Sequence, residues 1–218
     1  MKQSVICTGP YGVGKSEFAI QYALTQAPCF LADLDVLNPY FRPREIHGFL
    51  KEHGVIVIGN NTNNSTNLDL PGLSGDVGVY IQRGERVIVD LAGSIAGTHP
   101  LTLFKDMLDR CEVWLVINLM REESHLDQLE QFIADLKAQD LVVTGLVHNT
   151  HLLDETDLSL IRSSNSQIEK FAQKVKIPII WTMIDRRFMV DLKHEINSPI
   201  LPVEHWALRA EWMKGDSF

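Results

Sequence analysis

The chain has 218 residues, 45% of them hydrophobic and 22% charged, with a formal net charge of -8. That length supports one sizeable globular core, and the acidic balance disfavours holding DNA or an anionic membrane by bulk electrostatics. Cys7, Cys29 and Cys111 stand singly with no Cys-x-x-Cys pair, against a disulfide framework or zinc site and for a reducing, cytoplasmic setting. The N-terminus enters a strand at once, leaving no signal peptide, and no apolar run approaches membrane-spanning length.

The first predicted element is a short apolar strand, Val5–Thr8, followed by Gly9-Pro10-Tyr11-Gly12-Val13-Gly14-Lys15-Ser16 and a helix predicted over Lys15–Gln26. Gly-x-x-x-x-Gly-Lys-Ser between a strand and a helix is a phosphate-binding loop. Gly9, Gly12 and Gly14 let the backbone curl so that successive N–H groups face phosphate oxygens. The following helix adds its positive N-terminal end. Lys15 is long enough to reach the outer phosphates, and the Ser16 hydroxyl suits the shell of a bound Mg²⁺. The candidate nucleotide-binding set therefore runs through Gly9, Tyr11, Gly12, Val13, Gly14, Lys15, Ser16 and Glu17.

Further apolar runs predict strands at Cys29–Leu34, Val55–Gly59, Arg86–Leu91, Val113–Asn118, Leu141–His148 and Ile177–Met183. Helix-period segments lie between most of them: Pro43–His53, Pro100–Leu108, Glu123–Gln139 and Glu155–Lys174. Within Glu123–Gln139, Leu126, Leu129, Ile133 and Leu136 recur at spacings of three and four, marking one buried face. The alternation predicts an α/β, three-layer fold: a mainly parallel sheet of about seven strands with helices on both faces, in one domain spanning 1–218. Asn60 to Gly75 is rich in Asn, Ser and Thr and reads as a long surface loop. The tail from Pro199 to Phe218 carries Trp206 and Trp212 and predicts a short helix, packed on the sheet or contacting a partner.

In such sheets ligands sit beyond the carboxyl ends of the strands. After the second run, Asp33-Leu34-Asp35 places two carboxylates two apart, facing one side. One suits a Mg²⁺-bound water and the other an attacking water, unless either simply caps a turn. After the fourth run, Asp90-Leu91-Ala92-Gly93 pairs a metal-binding carboxylate with a glycine whose N–H can meet a terminal phosphate. Loss of that phosphate would release the segment, making it a switch. Asn149, after the sixth run, offers donor and acceptor to an adenine edge or is an ordinary turn residue. His148 and His151, three apart, suggest a metal pair, but no third ligand is near in sequence and they read as solvated loop histidines. Arg121 reads as either a nucleotide neighbour or half of a structural salt bridge. Asp185-Arg186-Arg187 either lines a base pocket or is exposed.

Taken together, Gly9–Ser16, Asp33-x-Asp35, Asp90-x-x-Gly93 and Asn149 resemble the MinD/ParA/CobQ-type (SIMIBI class) P-loop ATPases. The stretch from Asp33 to Arg42 is especially similar to a small bacterial branch of that class. The resemblance implies ATP and Mg²⁺ as cofactors, with Lys15 and Ser16 on phosphate and metal. It implies Asp35 as the water-activating residue of switch I, Asp90 in switch II and Asn149 at the base. It also implies a protein partner and a nucleotide-dependent homodimer. Two positions depart from the class: Pro10 stands where many members carry a signature Lys that crosses to the partner's nucleotide, and paired cysteines are absent. A small-molecule kinase built on the same loop, a nucleotide-binding module with little turnover, and GTP in place of ATP (despite the absence of an Asn-Lys-x-Asp motif) remain open on the sequence.

Overall fold

Strands whose side chains are apolar on both faces must be covered twice, and the chain meets that demand by alternating them with helices. The computed structural model describes residues 3–34, 43–59, 76–93 and 108–208. In chain order its elements are β1 (Ser4–Thr8), α1 (Lys15–Gln26), β2 (Cys29–Leu34), α2 (His47–Glu52), β3 (Val55–Gly59), α3 (Asp76–Gln82) and β4 (Val87–Leu91). Then come β5 (Cys111–Ile117), α4 (Leu126–Ala138), β6 (Gly145–His148), α5 (Leu158–Val175), β7 (Ile179–Asp185), α6 (Met189–Leu192) and β8 (Ile200–Val203). One eight-stranded sheet, parallel at every pairing, runs in the order β3-β2-β4-β1-β5-β6-β7-β8.

The sheet is sandwiched between two apolar layers. Ile6, Val89, Leu115 and Leu146 share one layer with Leu129 and Leu136 of α4 and Ile168 and Phe171 of α5. Their neighbours in sequence, Val5, Cys7, Ile88, Trp114 and Val116, pack with Phe18, Ala19, Ile20 and Ala23 of α1. Strand alternation produces this division, since successive side chains leave opposite faces. It also puts Asp33 and Asp90 on the α1 face, since Leu31 and Ile88, two positions earlier on each strand, belong to that layer. On that side Tyr22 meets Trp114 edge-on at 4.9 Å between centroids and stacks with Phe18 at 5.9 Å. Such pairs add about 0.5–1.5 kcal/mol each beyond their buried area.

The predicted three-layer parallel architecture is present, with differences at its edges. The α4 face carries the four residues expected, Leu129 and Leu136 fully buried and Leu126 and Ile133 partly so. Helix α5 begins at Leu158 instead of near Glu155 because the Asp157 side chain accepts from the Leu160 N–H at 2.7 Å and caps it. Strand β6 starts at Gly145, not Leu141, because the Thr144 hydroxyl takes the Val113 N–H at 3.0 Å. Helix α3 lies where no element was expected, and strand β8 lies in the tail where a helix was expected. Val77 and Ile81, four apart, bury α3, and Ile200–Val203 extends the sheet beside β7 where a helical tail was predicted. The Asn60–Gly75 loop, most of the Pro100–Leu108 helix and Trp212 fall outside the described residues.

One sequence expectation is corrected in the interior. His148 is the last residue of β6, buried, with Nε2 3.1 Å from the Ser164 hydroxyl, and is not a solvated loop residue. It is inside because β6, buried along its whole length, runs between β5 and β7. Burial lowers its pKa to about 4. The folded state therefore resists a proton that the unfolded chain accepts near pH 6.5. This contribution is intact above pH 6.5, falls away as the pH drops towards 4, and amounts to about 3 kcal/mol. We expect urea midpoints measured from pH 7 to 4 to fall over that window, and His148→Phe to flatten part of the slope.

Candidate functional site

The carboxyl ends of β2, β4, β1, β5 and β6 converge on the loop between β1 and α1. The loop backbone takes positive φ at Gly9 (149°), Gly12 (73°) and Gly14 (86°). Gly14 is also the N-cap of α1, and no side chain caps that helix, so its first N–H groups face the loop's concavity. At Gly14 two constraints coincide: a left-handed backbone, and an Asn149 Nδ2 that would lie 2.5 Å from any added Cβ. Lys15 is buried at 5% exposure, and its ammonium donates to the Pro10 carbonyl at 3.0 Å across the loop. Tyr11 is exposed at the apex, whereas Val13 is buried beneath it.

Beside the loop, sheet register does what sequence spacing alone cannot. Asp33 and Asp90 are directly paired across β2 and β4, and Cys7 pairs with Asp90 across β1 and β4. Two carboxylates are thus adjacent, both buried, on the face where the loop and α1 begin. Burial, with Asp90 close by, pushes the Cys7 thiol well above its ordinary value and keeps it neutral. Gly93 follows two residues after β4 and presses on the loop. A Cβ there would lie 2.6 Å from Lys15 Nζ and 3.0 Å from the Tyr11 nitrogen. Asp35, the predicted water-orienting residue, lies outside the described residues.

These donors fit Mg²⁺. The Ser16 hydroxyl and the paired Asp33 and Asp90 carboxylates are hard oxygen ligands, and two neighbouring buried carboxylates repel each other less with a cation between them. Among the described residues no three His, Cys, Asp or Glu side chains gather into a metal site of their own. A cation here would share its shell with phosphate and water, as Mg²⁺ commonly does.

On the other side of β1 the loop is braced from β6 and β5. Asn149 is fully buried and donates from Nδ2 to the Val13 carbonyl at 2.8 Å. Its Oδ1 is buried with no hydrogen-bond partner among the described residues. The Asn that the sequence left between a base contact and an ordinary turn is a strut under the glycine-rich loop. Asn118 ties the two strand ends together by donating to the His151 carbonyl at 3.3 Å, and Leu119 N–H donates to the Thr150 hydroxyl at 3.1 Å. Sequence reading gave Asn118 and Thr150 no role; their only signal was their place just beyond a buried strand.

Glu17, placed by the sequence in the candidate nucleotide-binding set, makes a contact that the sequence did not suggest. Its carboxylate accepts from the Ala207 and Leu208 N–H groups at 2.8 and 3.0 Å, latching the segment after β8 onto α1. That segment carries Trp206, whose ring stacks on His151 at 4.4 Å. The His151 Nε2 in turn lies 3.9 Å from the Cβ position at Gly14. A stacked His–Trp pair thus stands beside the loop. Arg186 pairs with Glu204, and Arg187 donates to the Leu153 carbonyl at 2.8 Å. Both guanidinium groups of that turn are held by protein partners.

The fold is the three-layer α/β fold of P-loop NTPases, with the loop, Lys15 and the paired strand-end carboxylates together at the carboxyl ends of its strands. No protein-family model matches the sequence, and no curated protein matches it significantly. Among solved structures it resembles the signal recognition particle receptor FtsY from Elizabethkingia anophelis, at TM-score 0.50 and 18% identity, over 84% of this chain and 58% of the receptor. FtsY from Mycoplasma mycoides matches at TM-score 0.51 and 17% identity, over 81% of this chain and 59% of the other. The chain thus spans less than three-fifths of these proteins' length. The likeness is one of fold alone and does not single out the MinD/ParA/CobQ branch. No helix among the described residues is long and apolar enough to cross a membrane.

The latch at Glu17 is open to direct measurement. Removing a carboxylate that accepts from two backbone N–H groups should cost about 1–3 kcal/mol locally. In Glu17→Ala we expect the Ala207 and Leu208 amides to exchange with solvent at least tenfold faster than in the parent, by hydrogen exchange and mass spectrometry. Unchanged exchange would mean that other contacts hold the segment.

Proposed function

We propose that the chain is a Mg²⁺-dependent, ATP-binding and ATP-hydrolysing switch protein that acts on a protein partner. The observation that carries this reading is the direct pairing of Asp33 with Asp90 on the face where buried Lys15 and the open N-terminus of α1 meet. In this reading the loop N–H groups from Gly9 to Ser16 hold the phosphates, and Lys15 turns from the Pro10 carbonyl to the outer phosphate oxygens. Ser16, Asp33 and Asp90 would hold Mg²⁺, which supplies charge neutralisation at the phosphoryl group. Asp35 positions a water in line with the terminal phosphorus and takes its proton. Gly93 meets the terminal phosphate through its N–H, so hydrolysis removes what holds the segment after β4 and returns the switch. His151 and Trp206, stacked beside Gly14, offer an aromatic wall on the nucleoside side of the loop.

A kinase would use the same loop with a substrate hydroxyl in place of water. A kinase lid would need arginines offered to the transferred phosphoryl group, and Arg186 and Arg187, one candidate pair, each hold a protein acceptor instead. Pairing of two chains across the nucleotide would have to proceed without a Lys at position 10, where this chain has Pro10.

With purified protein we expect Mg²⁺-dependent phosphate release from ATP and slower release from GTP. Lys15→Ala should weaken ATP binding at least tenfold, the loss of one or more charge-assisted hydrogen bonds. Asp35→Asn should keep ATP binding within about threefold while turnover falls about 100-fold or more, as expected for a general base. If Lys15→Ala binds ATP as tightly as the parent, the proposal fails at its centre. A phosphorylated small molecule as the product would replace the hydrolase by the kinase.

A further inference from the structure

The turn after β5 carries a cation whose position on the phosphate loop is fixed from several directions. Arg121 N–H donates to the Asn118 carbonyl at 3.0 Å, and the Arg121 carbonyl accepts from Ser124 at 2.9 Å. Asn118 Oδ1 accepts from the Met120 N–H at 3.0 Å, so the intervening turn is closed internally as well as tied to β6. From this turn the Arg121 side chain lies along the loop at Gly12. The two atoms nearest to a Cβ position at Gly12 are Arg121 Cδ at 3.9 Å and Nε at 4.0 Å, and nothing else approaches within 4 Å.

Arg121 Nε is buried and has no hydrogen-bond partner among the described residues, and no ion pair of Arg121 occurs among them. The salt bridge that was one of its two sequence readings is therefore not what holds it. A buried donor left unmade is costly, more so on a charged group, and such donors in native folds mark a missing acceptor. Here the donor stands against a loop curled by positive φ at Gly9, Gly12 and Gly14, beside a helix N-terminus that no side chain caps. A planar guanidinium is the side chain best suited to phosphate, because its N–H groups form a fork matched to two oxygens.

We infer that Arg121 is a second phosphate-binding cation, supplied by the same chain, that engages the outer phosphates of a nucleoside triphosphate across Gly12. The inference rests on the nucleotide-binding reading of the loop. Gly12 is the passage through which the guanidinium reaches the ligand: a side chain there would stand between Arg121 and the loop. Lys15 approaches the phosphates from beneath, out of α1, and Arg121 approaches from the β5 side. The two cations differ in what they read, because Lys15 is set where every bound phosphate chain must pass. Arg121, by contrast, distinguishes triphosphate from diphosphate.

The test is a fluorescence titration of the full chain with Mg²⁺ and either ADP or the non-hydrolysable triphosphate AMPPNP, for the parent, Lys15→Ala, Arg121→Ala and Arg121→Lys. We expect Arg121→Ala to bind ADP within twofold of the parent and AMPPNP about 10–100-fold more weakly, the loss of one or two charge-assisted hydrogen bonds. Arg121→Lys, which keeps the charge without the fork, should lie between the two, and Lys15→Ala should lose both ligands. Arg121→Gln carries the same expectation as Arg121→Ala should the alanine variant not fold. AMPPNP binding by Arg121→Ala at the parental level, with Lys15→Ala defective, overturns the role of Arg121 and leaves the loop reading standing. Equal loss of ADP and AMPPNP in Arg121→Ala, unrepaired by Arg121→Lys, reduces Arg121 to a brace of the turn. Parental binding of both ligands by Lys15→Ala overturns the loop reading and the inference with it.

Discussion

The hydrogen bond from Asn149 Nδ2 to the Val13 carbonyl, with Gly14 packed against the same amide, is the contact on which the site's geometry depends. A loop of eight residues with three positive-φ glycines has many conformations available to it, and little of its own to choose among them. Seating Val13 on a fully buried Asn at the end of β6 selects one. The selection costs a site where no Cβ fits, which is why glycine at position 14 is a requirement of packing as much as of backbone angle. Because β6 reaches β1 only through β5, the loop inherits its rigidity from the centre of the sheet.

The same logic runs on the opposite side of β1. Register between β2 and β4 sets Asp33 beside Asp90, and the alternation of a two-sided strand turns both towards α1. Neither carboxylate is placed by anything local. Their meeting is a consequence of strand order, since β4 lies between β2 and β1 although it follows both in sequence. Gly93 completes this side by packing close to Lys15 and the loop backbone, where no Cβ fits.

How much of this could be read from the chain follows from which interactions are local. The glycine-rich loop after β1, Asp33 and Asp90 at their strand ends and the buried face of α4 are written at short spacing and were legible. So was the parallel three-layer architecture, because continuous apolar runs alternating with helical periods admit few other solutions. Strand β8 was not: Ile200–Val203 is short, contains a proline, and follows a segment that resembles a tail. It earns its place by pairing with β7. The function of Glu17 was equally hidden. At the first turn of α1 it looks like a nucleotide neighbour, and only the return of residues 207 and 208 reveals it as a latch. His148 looked like a loop residue because a histidine next to Asn-Thr-His suggests solvent, whereas strand β6 carries it inside. Arg121 was ambiguous for the opposite reason, since the two readings differ only in whether an acidic side chain is nearby in space.

The central claim is that the converging strand ends form one Mg²⁺–triphosphate site. A crystal structure of the protein grown with Mg²⁺ and AMPPNP tests it most directly. The account predicts phosphate oxygens within hydrogen-bonding distance of the Gly12–Ser16 N–H groups and Lys15 Nζ. It also predicts a cation at about 2.0–2.1 Å from the Ser16 hydroxyl, with the Asp33 and Asp90 carboxylates on its shell directly or through water. A nucleotide bound elsewhere on the chain, or phosphates in the loop with a cation that avoids that carboxylate pair, would contradict it.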